Sequence, residues 1–176
     1  REVERRIDAN NVFSLNRLSL TDTVEGGASL TYGTEFSKEN KRNQEVFNFK
    51  LANVSRLKKD KNLPGNSSIG NKTSDIFGSI AFEPNQIISL GYDFNQKNNL
   101  VDTNYGVLKA QINLNKFVTT FEYLNENNTT ANENFITNKT SYIVNKSNNI
   151  SFETRENKKT KATEFYNLIY QYRNDC

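Results

Sequence analysis

Apolar side chains recur at every second position along most of this chain. In residues 85–95, Ile88, Leu90, Tyr92 and Phe94 alternate with Ser89, Gly91, Asp93 and Asn95. Successive side chains on a strand point to opposite faces, so such a segment has one greasy face and one wet face. Residues 28–37 repeat the pattern through Leu30, Tyr32 and Phe36, and residues 105–114 through Leu108, Ala110, Ile112 and Leu114. Residues 117–124 carry Phe117, Phe121 and Tyr123 on one side; residues 163–173 carry Tyr166, Leu168, Tyr170 and Tyr172. Weaker alternation marks 11–19, 45–55, 74–82, 135–144 and 150–155. No stretch holds the i, i+3, i+4 spacing of an amphipathic helix over three turns. The pattern predicts an all-β chain of about ten strands.

The connections predict how those strands are ordered. Short ones, "EPNQ" at 83–86, "NK" at 115–116 and "NKSNN" at 145–149, alternate with long ones at 58–73 and 125–134. Asn tolerates the left-handed region and forms side-chain turns, so it suits hairpin tips. Hairpins that are tight at one end and loose at the other describe an antiparallel up-and-down meander. Outer-membrane barrels show that asymmetry. Several strands reach the 9–11 or so residues that cross a bilayer at a tilt. Lys, Arg and Asp are missing from the middles of the greasy faces, where a basic residue costs about 2–4 kcal/mol in lipid. Phe36, Phe82, Phe94, Phe117 and Tyr172 fall near strand ends, the place of an aromatic girdle. The expected architecture is therefore an arc of about ten strands of a large transmembrane β-barrel. A soluble β-sandwich or an Asn-rich adhesin repeat shares the alternation but not the loop asymmetry.

Composition sharpens this reading. Hydrophobic residues make up only 35% of the 176 residues, and 29 residues, about one in six, are Asn. A barrel wall explains the shortfall, because only alternate residues meet lipid. The chain has no His, so a Ser-His-Asp relay is excluded within it, and its one Cys cannot close an internal disulfide. No apolar run reaches the 18 or so residues of a membrane helix. The 23 basic and 20 acidic residues are spread along the chain, so the net charge of +3 gives no nucleic-acid signal. No cofactor is expected. Arg1 and the terminal Cys176 suggest a piece of a longer protein.

One segment is more specific. "DANNVFSLNRLSLTDTVEGGASLTYGTEF", residues 8–36, resembles the barrel domain of the LPS-assembly protein family, LptD (formerly OstA). The matching positions are Asp8, Asn11, Phe13, Asn16, Arg17, Leu18, Ser19, Asp22, Glu25, Gly26, Gly27, Tyr32 and Gly33. Leu20 stands where the family has Gly, and Thr23 where it commonly has Arg. "SDIFGSIAFEPNQIISLGYDF" (74–94) is similar to a family hairpin, and "EFYNLIYQYRNDC" (164–176) to a region ending in Cys. The resemblance implies lipopolysaccharide transport and assembly in the cell outer membrane, by a barrel plugged with a lipoprotein of the LptE type. It also implies periplasmic bridge proteins that deliver lipopolysaccharide through an N-terminal jellyroll. The 176 residues would be part of the C-terminal barrel domain, without the jellyroll and without the first and last strands that form the lateral gate.

Particular residues carry sharper expectations. Gly26 and Gly27 after Glu25 read first as a turn of positive φ into the next strand, and second as a loop shaping the lumen. Arg17, Asp22 and Glu25 read as a solvated loop network, with a charged cluster touching lipid phosphates or a partner as the alternative. The resemblance implies that Cys176 pairs with a Cys in the N-terminal domain; a free thiol is the alternative. Asn-x-Ser/Thr triplets at Asn66, Asn71, Asn128 and Asn138 follow from the Asn content. The basic runs 56–61 and 158–161 read as solvated loops, or else as contacts to anionic headgroups. The competing functions are a passive porin, an outer-membrane lipase (disfavoured by the absent His) and a soluble adhesin.

Overall fold

The computed structural model describes residues 6–15, 17–18, 25–63, 68–127 and 132–173. Among them, nine strands form one antiparallel sheet in sequence order, so every neighbour in the chain is a neighbour in the sheet. The strands are β1 (Ser29–Glu39), β2 (Glu45–Arg56), β3 (Ile76–Phe82), β4 (Ile88–Gln96) and β5 (Thr103–Leu114). They continue as β6 (Phe117–Asn127), β7 (Asn132–Ile143), β8 (Asn148–Asn157) and β9 (Ala162–Tyr172). The sheet is open, with β1 and β9 at its edges.

Residues directly opposite each other in an antiparallel pair share a face. Following the pairings from Phe36↔Phe49 through Phe49↔Ile80, Ile80↔Tyr92, Tyr92↔Leu108 and Leu108↔Tyr123 places all the predicted greasy residues of β1 to β6 on one side. Tyr123↔Ile136, Tyr142↔Ile150 and Phe152↔Leu168 continue that side to the far edge. The opposite face carries Glu35, Lys50, Asp93, Lys109, Glu122, Lys139 and Glu153 by the same pairings. Most of the large apolar side chains on the greasy face are exposed, Leu30, Tyr166 and Leu168 at 66%, 68% and 75%. A sandwich would bury them against a second sheet; here nothing covers them among the described residues.

The buried core lies on the other, polar face. Ile7, Ala9, Val12 and Leu18 pack with Ala52, Val54 and Phe77 of the sheet and with Leu63 and Ile69 of the β2–β3 loop. Residues 11–19 are thus not a strand; those described here turn across the polar face as a strap. The cause is local. The Asp8 carboxylate accepts from the backbone N–H of Asn10 and Asn11, and Val12 N donates to the Asp8 carbonyl. Such side-chain turns compete with strand pairing. This removes one of the ten expected strands.

The loop asymmetry is also smaller than expected. The β2–β3 connection is long, but the Asn-rich 125–134 segment is mostly strand. Asn125↔Asn134, Glu126↔Glu133 and Asn127↔Asn132 extend the β6–β7 ladder and leave 128–131 as the connection. Asn does supply hairpin tips, since Asn43 and Asn115 take φ of 56° and 51° in the β1–β2 and β5–β6 turns.

Between β6 and β7 the greasy face has a polar interruption that alternation did not reveal. Register places Thr119 opposite Thr140 and Asn138 opposite Phe121 on that face. Their polar groups satisfy one another: the Thr119 and Thr140 hydroxyls lie 2.9 Å apart, and Asn138 Nδ2 donates to Thr119 Oγ1. Thr140 Oγ1 in turn donates to Asn138 Oδ1.

Candidate functional site: a clamped strap on the polar face

The family-like segment is the part of the chain that crosses the polar face. Its footholds, Thr31, Gly33 and Lys50 near one edge and Tyr105 and Glu126 farther across, all lie on that face by register. Lys50 Nζ donates to Asn10 Oδ1 at 3.3 Å, and Arg17 Nη1 donates to Thr31 Oγ1 at 2.9 Å. Arg6 Nη2 pairs with Glu126 at 2.7 Å, and its guanidinium sits 3.9 Å from the centre of the Tyr105 ring. Within the strap, buried Asn11 donates to the Arg6 carbonyl and accepts from Asp8 N. Phe13 packs against Gly33, where a Cβ would meet the Phe13 ring at 3.0 Å and the Leu51 carbonyl oxygen at 2.4 Å. This gives a physical reason for a glycine after Tyr32.

One charged knot ties three segments together. Glu25 accepts two hydrogen bonds from Arg17, through Nε at 2.8 Å and through Nη2, and another from Arg56 Nη2. The Arg17 and Arg56 side chains are only 6% and 1% exposed. Two buried cations against one carboxylate would be costly alone. Backbone carbonyls make up the difference: Arg17 Nη1 donates to Val12 O, and Arg56 donates to Ile69 O and Gly26 O. Burial by itself would raise the Glu25 carboxyl, but the Arg17 hydrogen bond and charge, with the Arg56 charge, hold it below the usual carboxylate range. The knot is therefore ionised at neutral pH and joins the strap, the turn into β1 and the β2–β3 loop.

The expectations for individual residues divide accordingly. Gly27 takes φ of +74°, the turn geometry expected of it, while Gly26 contributes its carbonyl to Arg56. Leu18 is a core residue, 2% exposed. Arg17 and Glu25 do come together, but the reading of them as a solvated network is corrected: they are sequestered by the strap. The same correction applies to Arg56, read as the start of a solvated basic run. Lys58, Lys59 and Lys61 in that run are exposed, as are Lys158, Lys159 and Lys161. Asn16, Ser19, Asp22 and Cys176 lie outside the described residues.

Sequence reasoning missed Arg6, Lys50, Arg56 and Glu126 as anchors. Arg56 meets Glu25 across 31 positions and Arg6 meets Glu126 across 120, so no local spacing announces either contact. Beyond the strap the polar face carries mixed charge, with Lys109 paired to Glu122 at 3.7 Å and Arg155 to Glu164 at 3.1 Å.

No curated protein matches the chain. The family model described as LptD, LPS transport system D, matches residues 3–163, which include the strap, the charged knot and β1 to β8, and stop just inside β9. The chain therefore belongs to the LptD family, whose work is LPS transport and assembly at the outer membrane.

Proposed function

We propose that the nine strands are an arc of the outer-membrane barrel through which lipopolysaccharide enters the outer leaflet. The observation that carries this is the division of the sheet into an exposed apolar face, continuous from β1 to β9, and a polar face crossed by a clamped strap. A contiguous apolar surface of this extent marks a membrane or partner contact. Closing the barrel with strands from elsewhere in the protein pairs the β1 and β9 edges, as lipid requires of every backbone group. In this arrangement the apolar face meets acyl chains, the polar face lines a wet lumen, and the longer β2–β3 loop faces outward. The knotted strap narrows the lumen on the side of β1 and β2, which suits a plugged translocon better than a passive diffusion pore.

In the whole protein this arc belongs to the C-terminal barrel domain. The jellyroll, the gate strands and the contacts to an LptE-type lipoprotein and to the bridge proteins are assigned to other parts of the translocon. Cys176 pairs with an upstream Cys in the oxidising periplasm. The role is transport by shape, with no catalytic residue assigned.

The test uses single cysteines in the full-length protein within intact outer membranes. Leu90→Cys, Leu108→Cys and Phe121→Cys should react with a lipid-phase maleimide and resist a charged one. Ser89→Cys, Lys109→Cys and Thr120→Cys should show the reverse. Equal access of the charged reagent to both sets would refute the barrel wall. Depleting the protein should starve the cell surface of lipopolysaccharide; an unchanged surface would favour the porin.

A further inference from the structure

Two glycines flank Phe94 in one row of the apolar face: Gly78 of β3 pairs with Phe94, and Phe94 with Gly106 of β5. Cross-strand side-chain pairs stiffen a sheet, and a glycine inside a strand often marks a bend. Here two consecutive pairs are lost, one on either side of β4. The gaps are covered by rings of β4 itself. A Cβ on Gly78 would run into the Phe94 ring, and one on Gly106 would meet the Tyr92 hydroxyl at 3.1 Å. Tyr92 and Phe94 stack with centroids 5.4 Å apart and planes at 24°. Both rings belong to β4, so they ride with it as the strands beside it turn. The row is a crease in the wall.

A brace crosses the crease on the polar face. The core that clamps the strap draws on β2, β3 and the β2–β3 loop, and on no described residue of β4–β9. Arg6 leaves that core beside buried Ile7, pairs with Glu126 of β6 at 2.7 Å and sits 3.9 Å from the centre of the Tyr105 ring of β5. The row beneath it runs Phe77↔Asn95, Asn95↔Tyr105 and Tyr105↔Glu126, one residue along each strand from the row of Gly78, Phe94 and Gly106. The tie therefore spans β4 right behind the crease. It is also the weaker fastening of the strap: the Arg6 side chain is 45% exposed, against 6% and 1% for the knot's Arg17 and Arg56. Asn104 Nδ2 donates to Asp75 over the end of β4 as well, but so close to the hinge line that its lever arm is short.

We propose that β4 is a hinge in the wall and that Arg6 is the brace holding it bent. Parting of the Arg6 tie lets β5 and β6 swing away from the clamped strap and widens the lumen at the end where the β2–β3 loop lies. The proposal rests on the barrel reading above and deepens it, since it names where a wall narrowed by the strap gives way. The knot stays closed throughout, so the strap moves with β1–β3 as one body.

The experiment uses the full-length protein with its native partners in vesicles, with distances between paired spin labels read by electron resonance. Lys59→Cys and Lys158→Cys place labels on exposed loops on the two sides of β4; Lys41→Cys and Lys59→Cys place both on the clamped side. An exposed ion pair and an exposed cation–π contact are each worth up to about fivefold in population. Arg6→Gln removes both and should raise the longer Lys59–Lys158 distance by up to about 25-fold. Arg6→Lys keeps both and should stay near wild type, and the Lys41–Lys59 distance should hold in every variant. A short bismaleimide joining Arg6→Cys to Glu126→Cys makes a tie that cannot part. It should deliver lipopolysaccharide severalfold more slowly than the same variant capped with a monofunctional maleimide. Unchanged Lys59–Lys158 distances in Arg6→Gln, a shift in the Lys41–Lys59 distance, or equal delivery by locked and capped protein overturns the proposal. Each leaves the barrel reading intact, because that reading is decided separately by maleimide access at Leu90, Leu108 and Phe121.

Discussion

Replacing Glu25 by alanine removes the carboxylate that, among the described residues, neutralises both Arg17 and Arg56. Both guanidiniums stay in place, because their remaining donors are held by the Val12, Ile69 and Gly26 carbonyls. They are then two like charges, 6% and 1% exposed, with no counter-ion among the described residues. Breaking a fully buried ion pair costs about 3–5 kcal/mol. Glu25 itself is 18% exposed, so water recovers part of that and a cost of about 3 kcal/mol is expected. The loss should be local, because the knot joins the strap, the turn into β1 and the β2–β3 loop, and it does not reach β4–β9. Hydrogen exchange on the full-length protein reads it out. The amides of Val54, Arg56 and Ser74 bond to Ser74 Oγ, Lys72 O and Val54 O, and should exchange roughly 100-fold faster for that cost. Glu25→Gln keeps an acceptor but not the charge and should fall between the two. The sign with pH follows from the lowered carboxyl: its stabilisation is present above the unfolded value near 4.5 and is lost as pH falls through the folded value. Wild-type protection at these amides should thus weaken on acidification below that value, and Glu25→Gln should lose that dependence. Unchanged exchange at Val54 and Arg56 in Glu25→Ala would refute the clamp.

Three further outcomes follow from named contacts. Gly33→Ala drives a Cβ to 2.4 Å from the Leu51 carbonyl oxygen, which cannot step aside, whereas the nearest atoms to a Cβ in Gly78→Ala belong to the Phe94 ring, a side chain that can move. Gly33→Ala should cost about 1–3 kcal/mol in detergent unfolding and Gly78→Ala less, and the reverse order would contradict the packing described here. Asn11→Ala leaves the Arg6 carbonyl and the Asp8 amide without their side-chain partner, so strap protection should fall by about 1–3 kcal/mol, read by exchange at Val12. For Cys176, a non-reducing gel of the full-length protein should show a mobility that reductant changes; identical mobility with and without reductant, or in Cys176→Ser, would refute the disulfide.

Where the sequence was legible, the signal was local. Alternation in residues 85–95 or 105–114 needs only the geometry of one strand, and β4 and β5 lie there with the expected faces. The Asn turns at Asn43 and Asn115 and the positive φ of Gly27 are equally local. Residues 125–134 failed as a loop because pairing across β6 and β7 outweighs the turn preference of Asn. That ladder even sets Glu126 opposite Glu133, a repulsion that Arg6 offsets from the strap. Residues 11–19 failed as a strand although the cause, Asp8 three positions before Asn11, is readable in the sequence as a side-chain turn. The candidate site was half legible. Resemblance singled out Asn11, Phe13, Arg17 and Glu25, but neither spacing nor composition indicated that Arg17 and Glu25 are buried with Arg56.

The sequence by itself determined that this chain forms strands, which residues of each strand share a face, and that no His-based relay can form within it. Those properties follow from backbone geometry and residue type, and each is settled within a few positions. Tertiary structure alone decided that the apolar faces join into one surface, that the strap lies on the other, and that a carboxylate 31 positions away neutralises a buried arginine. Register and burial are properties of segments brought together. A charge that looks solvated along the chain becomes a structural tie only when its partners and the water around it are fixed by the fold.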